Sequence, residues 1–66
     1  MVFKFVEIIG TSGKSFDDAV RNALSEASET VRAIKWLEVI RYGAVVKKEK
    51  IAEYQATVKI AFQVER

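Results

Sequence analysis

Apolar and polar positions alternate along three stretches of the chain and recur every three or four residues along one. From Val2 to Ile9 the residues are mostly β-branched or aromatic, and Gly10 ends the run, the pattern of a strand closed by a turn. One face of that strand would carry Phe3, Phe5 and Ile9, the other Val2, Val6 and Ile8, with Glu7 and Lys4 as one charge on each. A strand apolar on both sides is covered on both sides or lies at a subunit contact. Thr11 to Ser15 has loop chemistry, and Ser15 stands three residues before Asp18, the spacing of a capping box. Phe16, Ala19, Val20, Ala23, Leu24, Ala27, Val31 and Ile34 then recur at steps of three and four. They predict one amphipathic helix running to about Val31, with Asp17, Arg21, Ser25, Ser28 and Glu29 in solvent.

Lys35 to Val46 and Ile51 to Val64 read as a second and a third strand, joined as a hairpin by the charged turn Lys47 to Lys50. In the third, Ala52, Tyr54, Ala56, Val58, Ile60, Phe62 and Val64 make one apolar face that must pack on the helix. Glu53, Gln55, Thr57, Lys59 and Gln63, with Ala61 among them, make the other. In the second strand Leu37, Val39 and Val45 can share the core face, which points Trp36, Glu38, Ile40 and Tyr42 away from it.

The chain is therefore expected to be a single α+β domain over residues 1–66, built as a β-α-β-β unit. A helix returning the chain across the sheet makes the first and second strands run the same way. The third then fits antiparallel between them, in the order 1-3-2. One helix covers one face only. Trp36, Ile40 and Tyr42 are left without cover inside the chain, and a partner subunit or a flat ligand would bury them.

Composition narrows the chemistry. The 66 residues include no proline, cysteine or histidine. The usual zinc, iron–sulfur and haem ligand sets, histidine-activated nucleophiles and disulfides are thereby excluded from one copy of the chain. The start MVFKFVEIIG has no long apolar core or cleavage site of a signal peptide, and no apolar run approaches the roughly 20 residues of a membrane span. A cytoplasmic protein with no membrane partner is expected. Eleven basic against nine acidic residues leave a net charge of +2. Lys47, Lys48 and Lys50 are interrupted by Glu49 in a turn, so no basic face suited to nucleic acid stands out. A chain of this size with neither disulfide nor metal has self-association as the remaining way to bury more surface.

Gly10-Thr11-Ser12-Gly13-Lys14-Ser15 looks like the end of a phosphate-binding P-loop between a strand and a helix. The position of the loop's first glycine is Ile8, however, and a turn with a capped helix explains the same residues. The carboxylates are scattered. Asp17 and Asp18 are adjacent and diverge by about 100° on a helix, so they form no facing acid–base pair. No catalytic constellation emerges, and the chain is read as a binding protein with no enzymatic activity. Trp36 is the informative residue. Strand parity places it off the core face with Glu38 near it and Gln55 on the same side. Glu38 would pair with a cation of a neighbouring subunit. An exposed indole and a side-chain amide suit a planar heteroaromatic ligand, since the ring stacks and the amide offers a donor and an acceptor to the ligand's edge.

At this point the residues carry a resemblance. Gly10-Thr11-Ser12 after an apolar strand, the Ser15-Phe16 helix start, Trp36-x-Glu38-Val39, Tyr54-Gln55 and a closing Val58-x-Ile60-Ala61-Phe62 closely resemble the dodecins over essentially the whole chain. The resemblance implies a three-stranded antiparallel sheet partly wrapped around one helix, and a hollow homododecamer. It implies flavin stacked between Trp36 side chains of symmetry-related subunits, with Gln55 holding the flavin ring. The role implied is storage, buffering and photoprotection of flavin, quenched by electron transfer from the indole. Flavin mononucleotide, riboflavin and lumichrome are the family's flavins, and some members also bind coenzyme A.

Arg41 favours flavin mononucleotide, because a cation there suits a phosphate. Strand parity turns Arg41 toward the core unless a bulge near Gly43 re-aims it. The competing expectation is a flavin-free assembly in which Trp36 packs an interface and the shell serves a metal, coenzyme A or a protein partner.

Overall fold

The computed structural model describes residues 1–64. Its elements run β1 (Phe3–Ser12), α1 (Phe16–Ser28), β2 (Ile34–Lys47) and β3 (Lys50–Gln63). β3 pairs antiparallel with both other strands, so the sheet has the expected order β1-β3-β2 with one helix on one face. Among the described residues no helix is long and apolar enough to cross a membrane.

The loop before α1 spends its polar groups on itself. Ser15 Oγ accepts the Asp18 backbone N–H at 3.0 Å, capping the helix. Ser12 Oγ donates to Asp18 Oδ2 at 2.6 Å and accepts the Lys14 N–H at 2.9 Å. The stretch resembling a P-loop is thus a self-satisfied capped turn. The helix stops at Ser28, short of the expected Val31. The Thr30 and Val31 N–H groups both reach the Ala27 carbonyl, and Ala33, at φ 60°, swings the chain into β2. Val31 and Ile34 therefore belong to the connection and to β2.

The helix meets the sheet through its smallest side chains. Ala19, Ala23 and Ala27 are buried against Ala56, Val58 and Ile60, with Val6, Ile8, Leu37 and Val39 packed around them. Gly10 makes this approach possible. A Cβ there would stand 2.1 Å from the Ala19 carbonyl oxygen and 2.8 Å from Ala23 Cβ. Gly10 lies within β1, which continues to Ser12, so the glycine serves contact and does not end the strand as its sequence position suggests.

β2 departs from simple alternation. Val39 opposes Val58, but Arg41 opposes Thr57, so Ile40 is an extra residue with no partner on β3. The bulge inverts the expected parity beyond it. Tyr42 opposes Ala56 on the helix side, where its ring lies 4.9 Å from that of Phe16. Val45 opposes Glu53 on the uncovered side instead of joining the core. A second irregularity leaves Ala52 unpaired between Ile51 and Glu53, and Ala52 is exposed where a core position was expected. The β2–β3 turn places Lys48 and Glu49 at φ 51° and 64°, the backbone of a two-residue type I′ hairpin loop.

The molecule is long and thin, 50 × 19 × 13 Å. Its radius of gyration is 13.4 Å, against about 11 Å for a compact domain of this length. The hairpin end of β2 and β3 runs past Ser12, the last residue of β1, and leaves Val46 and Ile51 exposed there.

Candidate functional site: the uncovered face of the sheet

The three-strand register lays the uncovered face out in rows. Phe5, Ala61 and Trp36 form one row; Glu7, Lys59 and Glu38 the next; then Ile9, Thr57 and Arg41; then Thr11, Gln55 and Gly43. Large residues on the edge strands shelter small ones on the central strand. Ala61 is fully buried and Thr57 nearly so, although no helix covers this side.

Trp36 stands at one end of this face, 46% exposed. Phe3 meets it edge-on at 5.0 Å between ring centroids, and Phe5 at 6.2 Å with the planes at 86°. Both contacts have the geometry that aromatic quadrupoles favour, and together they hold the indole while leaving much of it open. Lys59 Nζ lies 5.7 Å from the Phe5 centroid. Glu38 and Glu7 flank Lys59 in the register, yet among the described residues the ion pair formed is Arg21–Asp17, on the far side of the helix. That exposed pair raises the Arg21 guanidinium above its usual range, chiefly through the hydrogen bond to Asp17.

Gln55 occupies the other end. Its Nε2 donates to Glu53 Oε1 at 3.3 Å, and it is flanked by Thr11 and by the bare backbone of Gly43. Arg41 lies one row away. The bulge at Ile40 is what turns it onto this face, and the bulge falls just upstream of the position near Gly43 that the sequence suggested.

Trp36 and Gln55 share a face but do not sit side by side. They are separated by the six residue steps of β3 from Ala61 to Gln55, about 20 Å at the rise of a strand. The four candidates divide into two half-sites, Trp36 with Glu38 and Arg41 with Gln55. Trp36 and Gln55 of one chain are too far apart to meet the same ring of a small molecule. Sequence reasoning placed Phe3 and Phe5 on a common face without assigning them to the site. The signal was available in the β1–β3 register, which sets Phe5 across Ala61 from Trp36. Glu53 was likewise read only as a polar strand position. A separate groove of about 320 Å³, lined by Lys4, Val31, Arg32, Phe62, Gln63 and Val64, contains none of the candidates.

Known proteins share this sequence and fold. The family model described as Dodecin matches residues 2–65. The dodecin of Thermus thermophilus is 33% identical over 64 residues, covering 97% of this chain and 93% of that protein. The structure of dodecin from Streptomyces coelicolor superposes with a TM-score of 0.95 at 34% identity, covering 98% of this chain and 93% of that one. Calcium dodecin from Mycobacterium tuberculosis, a calcium-chelating antigen with a novel calcium-binding site, gives a TM-score of 0.85 at 28% identity, covering 98% and 93%. Matched along nearly its whole length in both sequence and fold, the chain belongs to the dodecin family.

Proposed function

We propose that this protein binds flavin for storage, buffering and photoprotection, in a cytoplasmic homododecamer and without turnover. The observation that carries the reading is the indole of Trp36, braced edge-on by Phe3 and Phe5 and left half open on an uncovered sheet face. An aromatic platform of this kind favours a planar heteroaromatic, and stacking contributes about 1 kcal/mol beyond area burial. An indole in contact with a flavin also supplies the electron donor that quenches its excited state.

The split between half-sites supports assembly. Trp36 and Glu38 of one copy need Gln55 and Arg41 of another to enclose a single flavin, with Trp36 stacking, Gln55 meeting the ring edge and Arg41 taking a phosphate. The extended shape and the exposed Phe5, Ile9, Val46 and Ile51 leave surface that association would bury. Arg41 on the uncovered face, one row from Gln55, favours flavin mononucleotide over riboflavin or lumichrome.

Titration of flavin-stripped protein with riboflavin and flavin mononucleotide tests the reading. The expected result is quenching of flavin emission that saturates near one flavin per chain, with a large species on sizing. Arg41→Ala should weaken flavin mononucleotide by about tenfold and leave riboflavin unchanged. Emission that stays bright for both flavins would refute flavin storage.

The calcium-chelating relative motivates a second reading, a flavin-free dodecamer that binds a metal, coenzyme A or a protein partner. Calcium takes six to eight oxygen ligands, carboxylates, carbonyls and waters among them, and in this reading several subunits supply them together. Calorimetry with calcium on the flavin-stripped assembly separates the two readings.

A further inference from the structure

Gln55 is the one amide on the uncovered face whose orientation a neighbouring side chain sets. Its Nε2 lies 3.3 Å from Glu53 Oε1, two residues along the same face of β3. A carboxylate oxygen at that distance repels a carbonyl oxygen and attracts an N–H, so the amide nitrogen must take the Glu53 side. The carbonyl Oε1 is thereby turned toward Gly43, where a Cβ would stand 3.8 Å from it. With no side chain on Gly43, that side of Oε1 is open, and among the described residues Oε1 accepts no hydrogen bond. Gln55 consequently presents one acceptor and one remaining N–H in a fixed sense.

We propose that Glu53 is a specificity-determining positioning residue: by holding Gln55 Nε2 it commits Oε1 to a donor on the ligand. The site then selects flat heterocycles whose edge pairs an N–H with a carbonyl, an imide edge, and rejects those in which that nitrogen is alkylated. This rests on the flavin reading above and adds to it a residue that sets which ring edges are accepted. Gly43 contributes by leaving the acceptor uncovered.

Riboflavin and N3-methylriboflavin, titrated by fluorescence against the assembled wild-type protein, Glu53→Ala and Glu53→Lys, test the assignment. Selective amide labelling of the two glutamines, Gln55 and Gln63, reads the Gln55 amide in the ligand-free assemblies. Wild-type protein should prefer riboflavin by about tenfold or more, the worth of one hydrogen bond and a displaced acceptor. In Glu53→Ala the amide is free to turn, and the preference should fall to about threefold or less. Glu53→Lys supplies a donor that draws Oε1 away and should remove the preference even if the alanine variant fails to assemble. Equal weakening of both flavins with the ratio kept would reduce Glu53 to a structural role and overturn the proposal, as would an unchanged Gln55 amide signal in both variants. If wild-type protein binds neither flavin while the Gln55 signal shifts on substitution of Glu53, the flavin reading falls and the fixed orientation of the amide stands.

Discussion

The two faces of this sheet solve the same problem in opposite ways. On the helix-covered face the alanines of α1 meet Gly10, so backbone approaches backbone, and Val58 and Ile60 are fully buried beside them. The uncovered face is built from Phe3, Phe5, Ile9, Trp36 and Arg41, which stand exposed around a buried Ala61 and Thr57. Close approach leaves no slack, so the covered face sets the stability of the chain. Large exposed side chains gain little until something covers them, so the other face is where the proposed ligand contact lies.

The sharpest way to break that contrast is at Gly10. Gly10→Val places atoms where the Ala19 carbonyl already lies, and should cost at least about 3 kcal/mol in urea unfolding at matched protein concentration. A loss under about 1 kcal/mol would mean that the helix can lift from the sheet without consequence.

Trp36→Ala is the matching test on the other face. Because the indole is half exposed, chain stability should fall by only about 1 kcal/mol, while flavin affinity falls by about 30-fold or more. Collapse of the assembly with no separate flavin effect would assign Trp36 to interface packing instead.

Two smaller effects sharpen the comparison at its margins. Ser15→Ala removes the cap that accepts the Asp18 N–H and should cost about 1 kcal/mol, visible as a lowered unfolding midpoint with flavin affinity unchanged. Glu49→Gly relieves a side-chain-bearing residue at φ 64° in the hairpin turn. It should raise stability by up to about 1 kcal/mol, since glycine adopts that backbone freely. No gain on thermal unfolding would indicate that the turn is held by contacts outside the chain.

Most of the fold was legible because its signals are local. The β3 alternation from Tyr54 to Phe62 could face the core in one register only, and the Ser15–Asp18 cap marked where α1 begins. The end of α1 was misread, since Val31 and Ile34 continue the helical spacing from a connection that Ala33 redirects. The parity of β2 was read correctly up to Val39 and lost beyond it. A clue was present: strict alternation buried Arg41, a costly arrangement that one extra residue at Ile40 relieves by turning Arg41 onto the uncovered face. The candidate site was legible as a list of residues but not as a geometry. Trp36, Glu38, Arg41 and Gln55 lie on one face as rows; only carrying the Lys47–Lys50 hairpin turn through as a register separates Trp36 from Gln55 by about 20 Å of β3.

The sequence by itself determined the element order, the sheet order, the absence of thiol and imidazole chemistry, and the presence of a tryptophan off the core. Those follow from residue type and period, which act over a few neighbouring positions. The tertiary structure decided where the glycine is used, which way Arg41 points, what braces Trp36, and that the candidate residues Trp36 and Gln55 fall at opposite ends of one face. Each depends on register between strands or on contact between elements distant in the chain, and a single bulged residue changes all the partners that follow it.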